Sequence, residues 1–347
     1  MATRTGAKDG KTVEQFDDEL AKLSIEGYWK TIGVMPSEPK PRGEAFLWRW
    51  QDVYPKLVEA TKLIDLEDAA ERRSLRLCTP GAAWRATSDT VHAAIQMVLP
   101  GEVARAHRHS AAAFRFVIDG SGGYTTVDGE RYIMEPADLI LTPQTTWHDH
   151  GNLSDRPIVW LDVLDFPFVR AMNAIFYESY NDASQDVVRP DGYGRRMAGP
   201  ARPAGRTSPP TGLPFHYKGA DSIALLREMP DDDADPFDGV TLEYANALDG
   251  GPTMPTLQCR LHRMVRGRRL GRHRHTWTTI FHVVEGRGET VVDGKTLSWG
   301  PHDTFSMPAW QWHEHRVGSD GDAILFSVTD EPILRPFALD RMQAAAS

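Results

Sequence analysis

The sequence predicts a mainly β protein in which two tandem antiparallel sandwiches or barrels follow an α-helical N-terminal region. Three observations support this fold class. From Val91 onward, short runs rich in Val, Ile, Phe, Thr and Tyr alternate with Gly, Pro and Asp, which is typical of short antiparallel strands. This pattern occurs twice, and each copy carries the same motifs. The 347 residues are also enough for two domains of ordinary size.

The duplication appears when the sequence is aligned with itself. Matches occur at an offset of 166 residues and, after one gap, at an offset of 165. The first offset places His107-Arg108-His109 on His273-Arg274-His275, Gly101 on Gly267 and Gly120 on Gly286. The second places Val127-Asp128-Gly129 on Val292-Asp293-Gly294 and Trp147-His148-Asp149-His150 on Trp312-His313-Glu314-His315. So many matches with a single gap indicate two copies of one β-rich unit.

The elements divide the chain into four predicted parts. In residues 1–90, apolar residues at three- and four-residue spacing predict helices over 13–23 and 55–66. Residues 91–185 form the first β-rich unit. Residues 186–240 are rich in Pro, Gly and Arg, which predicts a linker. Residues 241–347 form the second β-rich unit with a C-terminal extension.

Composition excludes several classes of protein. The formal net charge of −9 argues against nucleic-acid binding, which requires a basic face. No apolar run approaches the roughly 20 residues of a membrane-spanning helix, and the first residues lack the apolar segment of a secretory signal. Two cysteines, Cys78 and Cys259, cannot form a disulfide framework. We therefore expect a cytoplasmic protein without a membrane or nucleic-acid partner.

Each copy contains three histidines whose spacing suits a metal ion. Side chains alternate along a strand, so His107 and His109 project to the same face. His148 follows 39 residues after His109 and can complete the triad from a neighbouring strand. A lone histidine is more often an ordinary core or surface residue, but here the whole pattern is repeated in His273, His275 and His313. Imidazole suits Fe, Zn, Cu and Ni, and three imidazoles leave coordination positions open for substrate.

The motifs around these histidines resemble the two signature motifs of the cupin family. The first motif matches Gly101, His107, His109 and Gly120, with Ala113 where the family often has a metal-binding Glu. The second matches Pro143, His148 and Asn152, with Ala137 and Thr145 in place of two glycines. The other copy retains Gly267, His273, His275, Gly286, Pro308 and His313, with Thr279 at the Glu position. The resemblance implies two cupin barrels, which are double-stranded β-helix or jelly-roll domains; cupins serve many chemistries.

A closer resemblance, to the bicupin gentisate 1,2-dioxygenase family, covers most of the chain. It rests on His107-Arg108-His109-Ser110, Phe114-Arg115-Phe116, Val127-Asp128-Gly129-Glu130-Arg131, Leu141-Thr142-Pro143, Trp147 to Asn152, Glu38 to Arg42, Leu47 to Trp50 and Glu71-Arg72-Arg73. This family also includes salicylate- and 1-hydroxy-2-naphthoate-cleaving members. The resemblance implies an Fe(II) enzyme, commonly a homotetramer, that cleaves gentisate (2,5-dihydroxybenzoate) between the carboxyl-bearing and adjacent hydroxyl-bearing carbons. Both atoms of O2 enter the product, maleylpyruvate.

A carboxylated substrate also needs a cation, and a planar guanidinium presents paired donors in the right geometry. Arg115 lies six residues beyond His109, hence on the same face of a regular strand, and it occupies the family's arginine position. The alternative is a surface salt bridge. At the equivalent position the second copy has Phe281. We therefore expect the first barrel alone to be catalytic, with the His273, His275 and His313 site silent whether or not it binds metal.

Further site residues are predicted from position and resemblance. We expect His150 either to act as an acid/base group or hydrogen-bond donor to the substrate, or to have a structural role. By resemblance, Asp162 meets a second ring hydroxyl such as the 5-OH of gentisate; alternatively it is a turn residue at a strand end. Arg72 and Arg73 match a family segment that reaches the active site, although either can simply be solvated. His92 and Gln96 lie on the strand before the His107 and His109 pair and are expected to line the pocket. At the His92 position the family favours a bulky apolar residue.

The leading hypothesis is thus a gentisate-type dioxygenase. Within the same reaction class, the substrate can instead be salicylate, an amino- or halo-substituted salicylate, or 1-hydroxy-2-naphthoate. A hypothesis of a different class is a non-catalytic metal-binding bicupin. Arg115 beside a complete first triad favours the enzyme.

Overall fold

The computed structural model describes residues 11–31, 35–40, 42–66, 73–82, 84–199, 201–207 and 209–346. The chain separates into two compact units, one ending at Lys40 and the other starting at Pro41. In the first unit, helix α1 (Val13–Lys22) covers the predicted segment. It begins with a capping box, because the Thr12 and Gln15 side chains each accept a hydrogen bond from the other residue's backbone N–H. A 3-10 turn follows at Tyr28–Lys30.

The second unit contains the two β-rich copies. It begins with β1 (Phe46–Trp48), α2 (Trp50–Leu63) and β2 (Ser74–Leu77). The first copy continues as β3 (His92–Val98), β4 (Val103–His109), β5 (Ala113–Asp119), β6 (Gly123–Val127), β7 (Glu130–Ile133), β8 (Leu139–Thr142), β9 (His148–Asn152), β10 (Ile158–Leu164), α3 (Phe166–Ala171) and β11 (Tyr177–Ser179). The predicted linker contains α4 (Tyr193–Ala198), β12 (His216–Tyr217), α5 (Gly219–Glu228) and a 3-10 turn at Asp231–Asp233.

The second copy repeats this order of strands. Its elements are β13 (Val240–Glu243), β14 (Gln258–Met264), β15 (His273–His275), β16 (Thr279–Glu285), β17 (Gly288–Val292), β18 (Lys295–Trp299), β19 (Thr304–Met307), β20 (His313–Val317), β21 (Ala323–Thr329), α6 (Glu331–Leu334), a 3-10 turn at Arg335–Phe337 and β22 (Met342–Ala344). Among the described helices, none is long and apolar enough to cross a membrane.

Each copy forms a barrel of two antiparallel sheets. In the first barrel the sheets have the orders β12-β8-β5-β10-β3-β2 and β11-β4-β9-β6-β7. In the second they have the orders β1-β19-β16-β21-β14-β13 and β18-β17-β20-β15-β22. The predicted mainly β fold with two tandem barrels is confirmed. The Val127-Asp128-Gly129 motif forms a two-residue hairpin turn between β6 and β7, since Asp128 and Gly129 both have positive φ, 45° and 79°, as a type I′ turn requires.

Alternation along the strands separates two hydrophobic layers. One face of each six-stranded sheet packs against the other barrel, where Phe116 and Phe326 stack with ring centroids 4.0 Å apart. Residues that alternate with these, such as Val117 and Trp160, point into the first barrel and fill part of its interior. The interior faces of the same strands therefore carry both this core and the polar side chains described below.

Each barrel is completed by a strand from outside its own copy. Strand β1 pairs with β19 of the second barrel, and β12 from the predicted linker pairs with β8 of the first. Two carboxylates 165 residues apart secure these additions. Asp303 accepts a hydrogen bond from the Trp50 N–H at the start of α2 (2.7 Å), and Asp138 accepts one from the Gly219 N–H at the start of α5 (2.8 Å). A carboxylate is favourable at a helix N-terminus, so helix α2 begins at Trp50, earlier than the predicted position 55.

Replacing Asp138 by alanine should lower the free energy of unfolding by about 3 kcal/mol, because buried donors lose a charged acceptor. The carboxylate also accepts from His216 Nε2 (2.6 Å) and Lys218 Nζ (2.9 Å). Burial opposes ionisation, but the hydrogen bonds from His216, Gly219 and Lys218 outweigh it and lower the pKa of Asp138. This stabilisation is present above the ordinary Asp pKa and is lost as the pH falls through the lowered value.

Urea unfolding monitored by tryptophan fluorescence measures the effect. Asp155, an exposed carboxylate of the same barrel, provides the matched Asp155→Ala control. Equal unfolding free energies for the two variants at neutral pH would show that the Asp138 network does not hold the added strand.

Candidate metal centre and active site

The first histidine triad lies inside the first barrel. His107 and His109 are on β4, and His107 pairs directly with His148 of β9. All three side chains are buried, and one nitrogen of each lies within 4.8 Å of the others. The two strands therefore bring the predicted ligands together at a distance that suits a single ion.

The hydrogen bonds of the triad leave the right nitrogens for a metal. The Nδ1–H groups of His107, His109 and His148 donate to the carbonyls of Arg105 (2.8 Å), Ala111 (2.8 Å) and Thr146 (3.0 Å). Each Nε2 then carries a lone pair, the arrangement usual for metal-binding imidazoles. His148 Nε2 is buried without a hydrogen-bond partner among the described residues. Burial, together with the neighbouring His107 and His109, lowers the pKa of His148 well below its ordinary value, so the ring is neutral. These residues fit a divalent metal.

Arg115 lies in the same barrel as the triad. It is buried on β5, between Asp162 of β10 and Ile140 of β8 in the sheet register. Its Nε lies 3.1 Å from Asp162 Oδ1, and its guanidinium also donates to Thr142 Oγ1. Two partners thus hold the guanidinium inside the barrel rather than at the surface, and Thr142 is a residue whose contribution the sequence did not indicate.

His150 is buried two residues beyond His148 on β9, and their rings lie 5.7 Å apart. Its Nδ1 is 2.8 Å from Thr125 Oγ1 on the adjacent strand β6. In the second barrel, His315 and Thr290 make the same contact at 2.8 Å. The imidazole is therefore fixed beside the triad, with Nε2 on the side of the ring away from Thr125.

Asp162 and His92 line one cavity of about 750 Å3. The cavity is bordered by β2, β3, β10 and the beginning of α3. Gln96 is buried on the same face of β3, where it pairs with Trp160 and Ser74. The structure thus brings His92 and Asp162 to the cavity and places Gln96 on the adjoining interior surface.

The two arginines predicted from the segment before β2 have different outcomes. Arg72 lies outside the described residues. Arg73 is buried and forms a two-point ion pair with Glu102, at 2.9 and 2.5 Å. Glu102 also accepts the Leu99 N–H at 2.7 Å. The Arg73 guanidinium is therefore engaged in fixing the turn between β3 and β4, and it does not line the cavity that contains His92 and Asp162.

Tyr177 is a site neighbour that the sequence did not reveal. It lies on β11 opposite His109, so its side chain is on the same face of the sheet as the triad. Its ring stacks on His107, with centroids 5.2 Å apart and an angle of 24° between planes. The contact depends on a strand that follows the barrel in sequence and then pairs with β4, which no local motif indicates.

The second of the two cupin signature motifs has other residues at two positions where the family has glycine, and both keep the positive φ that glycine favours. Ala137 and Thr145 have φ of 62° and 67°, and the equivalent His302 and Trp310 have φ of 66° and 62°. This conformation costs a residue with a side chain about 1–2 kcal/mol. The backbone that leads to His148 and His313 therefore has the geometry of the motif despite the different residues.

The second barrel contains an equivalent triad in a different setting. The ligand nitrogens of His273, His275 and His313 also lie within 4.8 Å of one another. Their Nδ1 atoms donate to the carbonyls of Gly271 (3.2 Å), Trp277 (2.8 Å) and Gln311 (3.0 Å). Burial, with added repulsion from His273, lowers the pKa of His275 to about 4. This centre also fits a divalent metal.

The surroundings of the second triad disfavour an anionic ligand. Its cavity, of about 280 Å3, has Phe281 at the Arg115 position. Arg260, the one arginine among the described residues that line it, is neutralised by Glu243 (2.8 Å) and Glu331 (2.7 Å). Asp238 adds a carboxylate; burial opposes its ionisation, but the surrounding histidines, His262 first, lower its pKa. The two barrels therefore share the metal-binding geometry and differ in the charge offered to a substrate.

The fold and the paired triads define a bicupin protein with two metal-competent centres. In agreement, the cupin domain family matches residues 94–164 and 260–329. The chain is 41% identical to 5-aminosalicylate 1,2-dioxygenase from Comamonas sp, over 96% of this chain and 91% of that protein. It is 36% identical to gentisate 1,2-dioxygenase 1 from Aquipseudomonas alcaligenes, over 92% and 93% of the two chains.

The solved structures agree with these relatives. A salicylate 1,2-dioxygenase from Pseudoaminobacter salicylatoxidans, in adducts with gentisate, superposes with a TM-score of 0.91 and 30% sequence identity, covering 100% of this chain and 98% of that one. The chain belongs to the gentisate-type family of ring-cleaving 1,2-dioxygenases.

Proposed function

We propose that the protein is an Fe(II)-dependent dioxygenase that cleaves gentisate between its carboxyl-bearing and adjacent hydroxyl-bearing carbons to give maleylpyruvate. The observation that carries this proposal is the buried guanidinium of Arg115 in the barrel that holds the first triad. A metal centre alone would also suit a non-catalytic bicupin. A guanidinium held inside the barrel beside that centre favours recognition of an anionic organic substrate.

His107, His109 and His148 would hold the metal. Three neutral imidazoles suit Fe(II), which would supply open positions for a chelating substrate and for O2, and a redox-active path for electrons from the substrate to O2. The chain itself contributes three ligands without charge. Because none of the three histidines is anionic, the site with a divalent metal would have a net positive charge that favours a carboxylate-phenolate substrate.

The remaining residues orient the substrate. Arg115 binds its carboxylate, with Thr142 and Asp162 fixing the direction of the guanidinium. His150, positioned by Thr125, hydrogen-bonds the ring oxygen next to the carboxyl group. Asp162 accepts a hydrogen bond from a polar substituent further round the ring, with His92 beside it in the cavity. The second barrel does not take part in ring cleavage.

A second candidate substrate is 5-aminosalicylate, favoured by the 41% identity to the 5-aminosalicylate 1,2-dioxygenase. Its amino group is a hydrogen-bond donor like the 5-OH of gentisate, so Asp162 can accept from either. Salicylate lacks this donor and should react more slowly, because the carboxylate of Asp162 would then face the ring without that partner.

Oxygen uptake by the iron-loaded protein tests the proposal directly. The panel contains gentisate, 5-aminosalicylate, salicylate, 5-chlorosalicylate and 1-hydroxy-2-naphthoate, with benzoate as a control that cannot chelate. We expect gentisate or 5-aminosalicylate to have the highest kcat/KM and one O2 to be consumed per ring. Absence of uptake with every hydroxy acid, in protein that has bound iron, would favour a non-catalytic metal-binding bicupin.

The second barrel should be dispensable for turnover. A His273→Ala, His313→Ala variant removes two of its three metal ligands, and we expect it to retain most of its activity per folded chain. Its thermal stability should fall if a metal normally occupies that barrel, because a ligand that binds only the folded state stabilises it. Oxygen uptake, metal content and thermal unfolding are measured together. If the variant folds and keeps its first-barrel iron but loses ring cleavage, both barrels participate in the reaction.

A further inference from the structure

The cavity that contains Asp162 and His92 extends outward from the barrel interior. Its wall includes Arg76, Ala94 and Asp162, which lie in a single row across β2, β3 and β10. The row continues to Arg115 on β5, the ion-pair partner of Asp162. With neighbouring strands about 4.8 Å apart, this row spans about 14 Å from Arg76 to Arg115. The cavity thus leads from the edge of the sheet to the ion pair beside the metal centre.

The outer part of the cavity is strongly basic. Arg76, Arg85 and Arg170 line it and are exposed, and Asp162, which is already paired with Arg115, is the one described carboxylate in its wall. Among the described residues, none of these three arginines forms an ion pair with a carboxylate. The chain as a whole has a formal charge of −9, so this entrance has the opposite sign to the protein's net charge.

The entrance also offers an aromatic surface. Trp84 is 55% exposed, and the Arg170 guanidinium lies over its ring at 4.0 Å from the centroid. Arg76 donates to the Arg85 carbonyl (3.3 Å), which connects β2 to the loop that carries Trp84. An exposed tryptophan paired with a guanidinium presents a flat, apolar and cationic surface, which matches the ring and the carboxylate of an aromatic acid.

We propose that Trp84, Arg76, Arg85 and Arg170 form an entry site that attracts aromatic carboxylates from solution and directs them along the cavity to Arg115. This inference rests on the proposed function, because it assigns the anionic substrate class to the same cavity. The arginines act at a distance, through a positive potential focused by the walls of the cavity, and they speed the encounter with the substrate. Arg115 then takes over the carboxylate in the buried part of the site.

Salicylate fluorescence provides the test. Association with the iron-loaded full chain is followed by stopped flow without oxygen, at about 20 mM and about 500 mM NaCl, conditions that change the screening length severalfold. For the wild type, the association rate should fall about fivefold at the higher salt concentration. An Arg85→Gln, Arg170→Gln variant should associate at least about threefold more slowly at low salt and at nearly the wild-type rate at high salt.

The control has the same net charge change at a remote place. Arg266 and Arg287 are exposed in the second barrel, so an Arg266→Gln, Arg287→Gln variant should keep the wild-type rates. A wild-type rate that does not depend on salt would overturn the entry site, and so would association of the Arg85, Arg170 variant at the wild-type rate at low salt. Failure of the proposed function is distinguishable, since the wild type would then neither bind salicylate nor consume O2 with any hydroxy acid.

Discussion

Replacing His148 by alanine should abolish both metal binding in the first barrel and ring cleavage. His148 is one of three buried histidines whose nitrogens lie within 4.8 Å of one another, and its Nε2 has no hydrogen-bond partner among the described residues, an arrangement that suits a metal ligand. Loss of one of three imidazoles leaves a two-ligand site with a much lower affinity. In a chain that already carries His273→Ala and His313→Ala, iron should fall from about one per chain to nearly none.

The duplication supplies the matched control for this prediction. His313 occupies the same place in the second triad, with the same kind of Nδ1 hydrogen bond, at 3.0 Å to the Gln311 carbonyl. His313→Ala therefore makes the same chemical change in a barrel that has Phe281 at the Arg115 position, and it should leave turnover largely intact. Iron analysis and oxygen uptake are measured on both variants. Full activity of His148→Ala in a metal-free preparation would exclude this triad as the catalytic centre.

The two histidine triads were predictable from the sequence because the signal was local and repeated. His107 and His109 share a strand face by simple alternation, and the repeat identified His148 and His313 as the equivalent third histidines. The structure adds the direct pairing of His107 with His148 on neighbouring strands. A short motif sufficed here, since two adjacent strands determine the whole geometry.

Features that depend on distant pairing were not predictable in the same way. The residues before the first barrel were predicted as a helical region, yet they also contribute β1 to the second barrel and β2 to the first. Nothing near Trp50 indicates that Asp303, about 250 residues later, binds the start of α2. Such contacts depend on how the two barrels pack, which periodicity within a segment does not encode.

The polar part of the candidate active site lies between these cases. Arg115 was predicted to face the triad, and the resemblance placed Asp162 near the substrate, but their mutual ion pair follows only from the register of β5 with β10. Arg73 shows the reverse. It belongs to a segment that resembles an active-site element of the family, but its guanidinium pairs with Glu102. For charged side chains, the choice between substrate and protein partner depends on the tertiary neighbours.

Replacing Arg115 by alanine should preserve the iron but lower kcat/KM at least about tenfold for every carboxylated substrate. Removing the cation leaves a desolvated substrate carboxylate without its partner, a loss of roughly 2–5 kcal/mol. It also leaves Asp162 without its counter-charge, 3.1 Å from where the guanidinium Nε had been, so the inner cavity becomes anionic. Both effects oppose binding of an anion and act in the same direction.

A second substitution separates these two effects. In an Arg115→Ala, Asp162→Asn variant the aspartate no longer repels the substrate carboxylate. The kcat/KM for salicylate should therefore recover part of the loss, because salicylate has no 5-substituent that donates a hydrogen bond to residue 162. For gentisate the recovery should be smaller, since the neutral amide introduced by Asp162→Asn is a weaker acceptor for the 5-OH than a carboxylate. Arg115→Lys keeps the charge without the planar pair of donors and should fall between wild type and alanine. Unchanged kcat/KM in Arg115→Ala would mean that the carboxylate binds elsewhere, and the difference in charge between the two barrels would then lose its functional meaning.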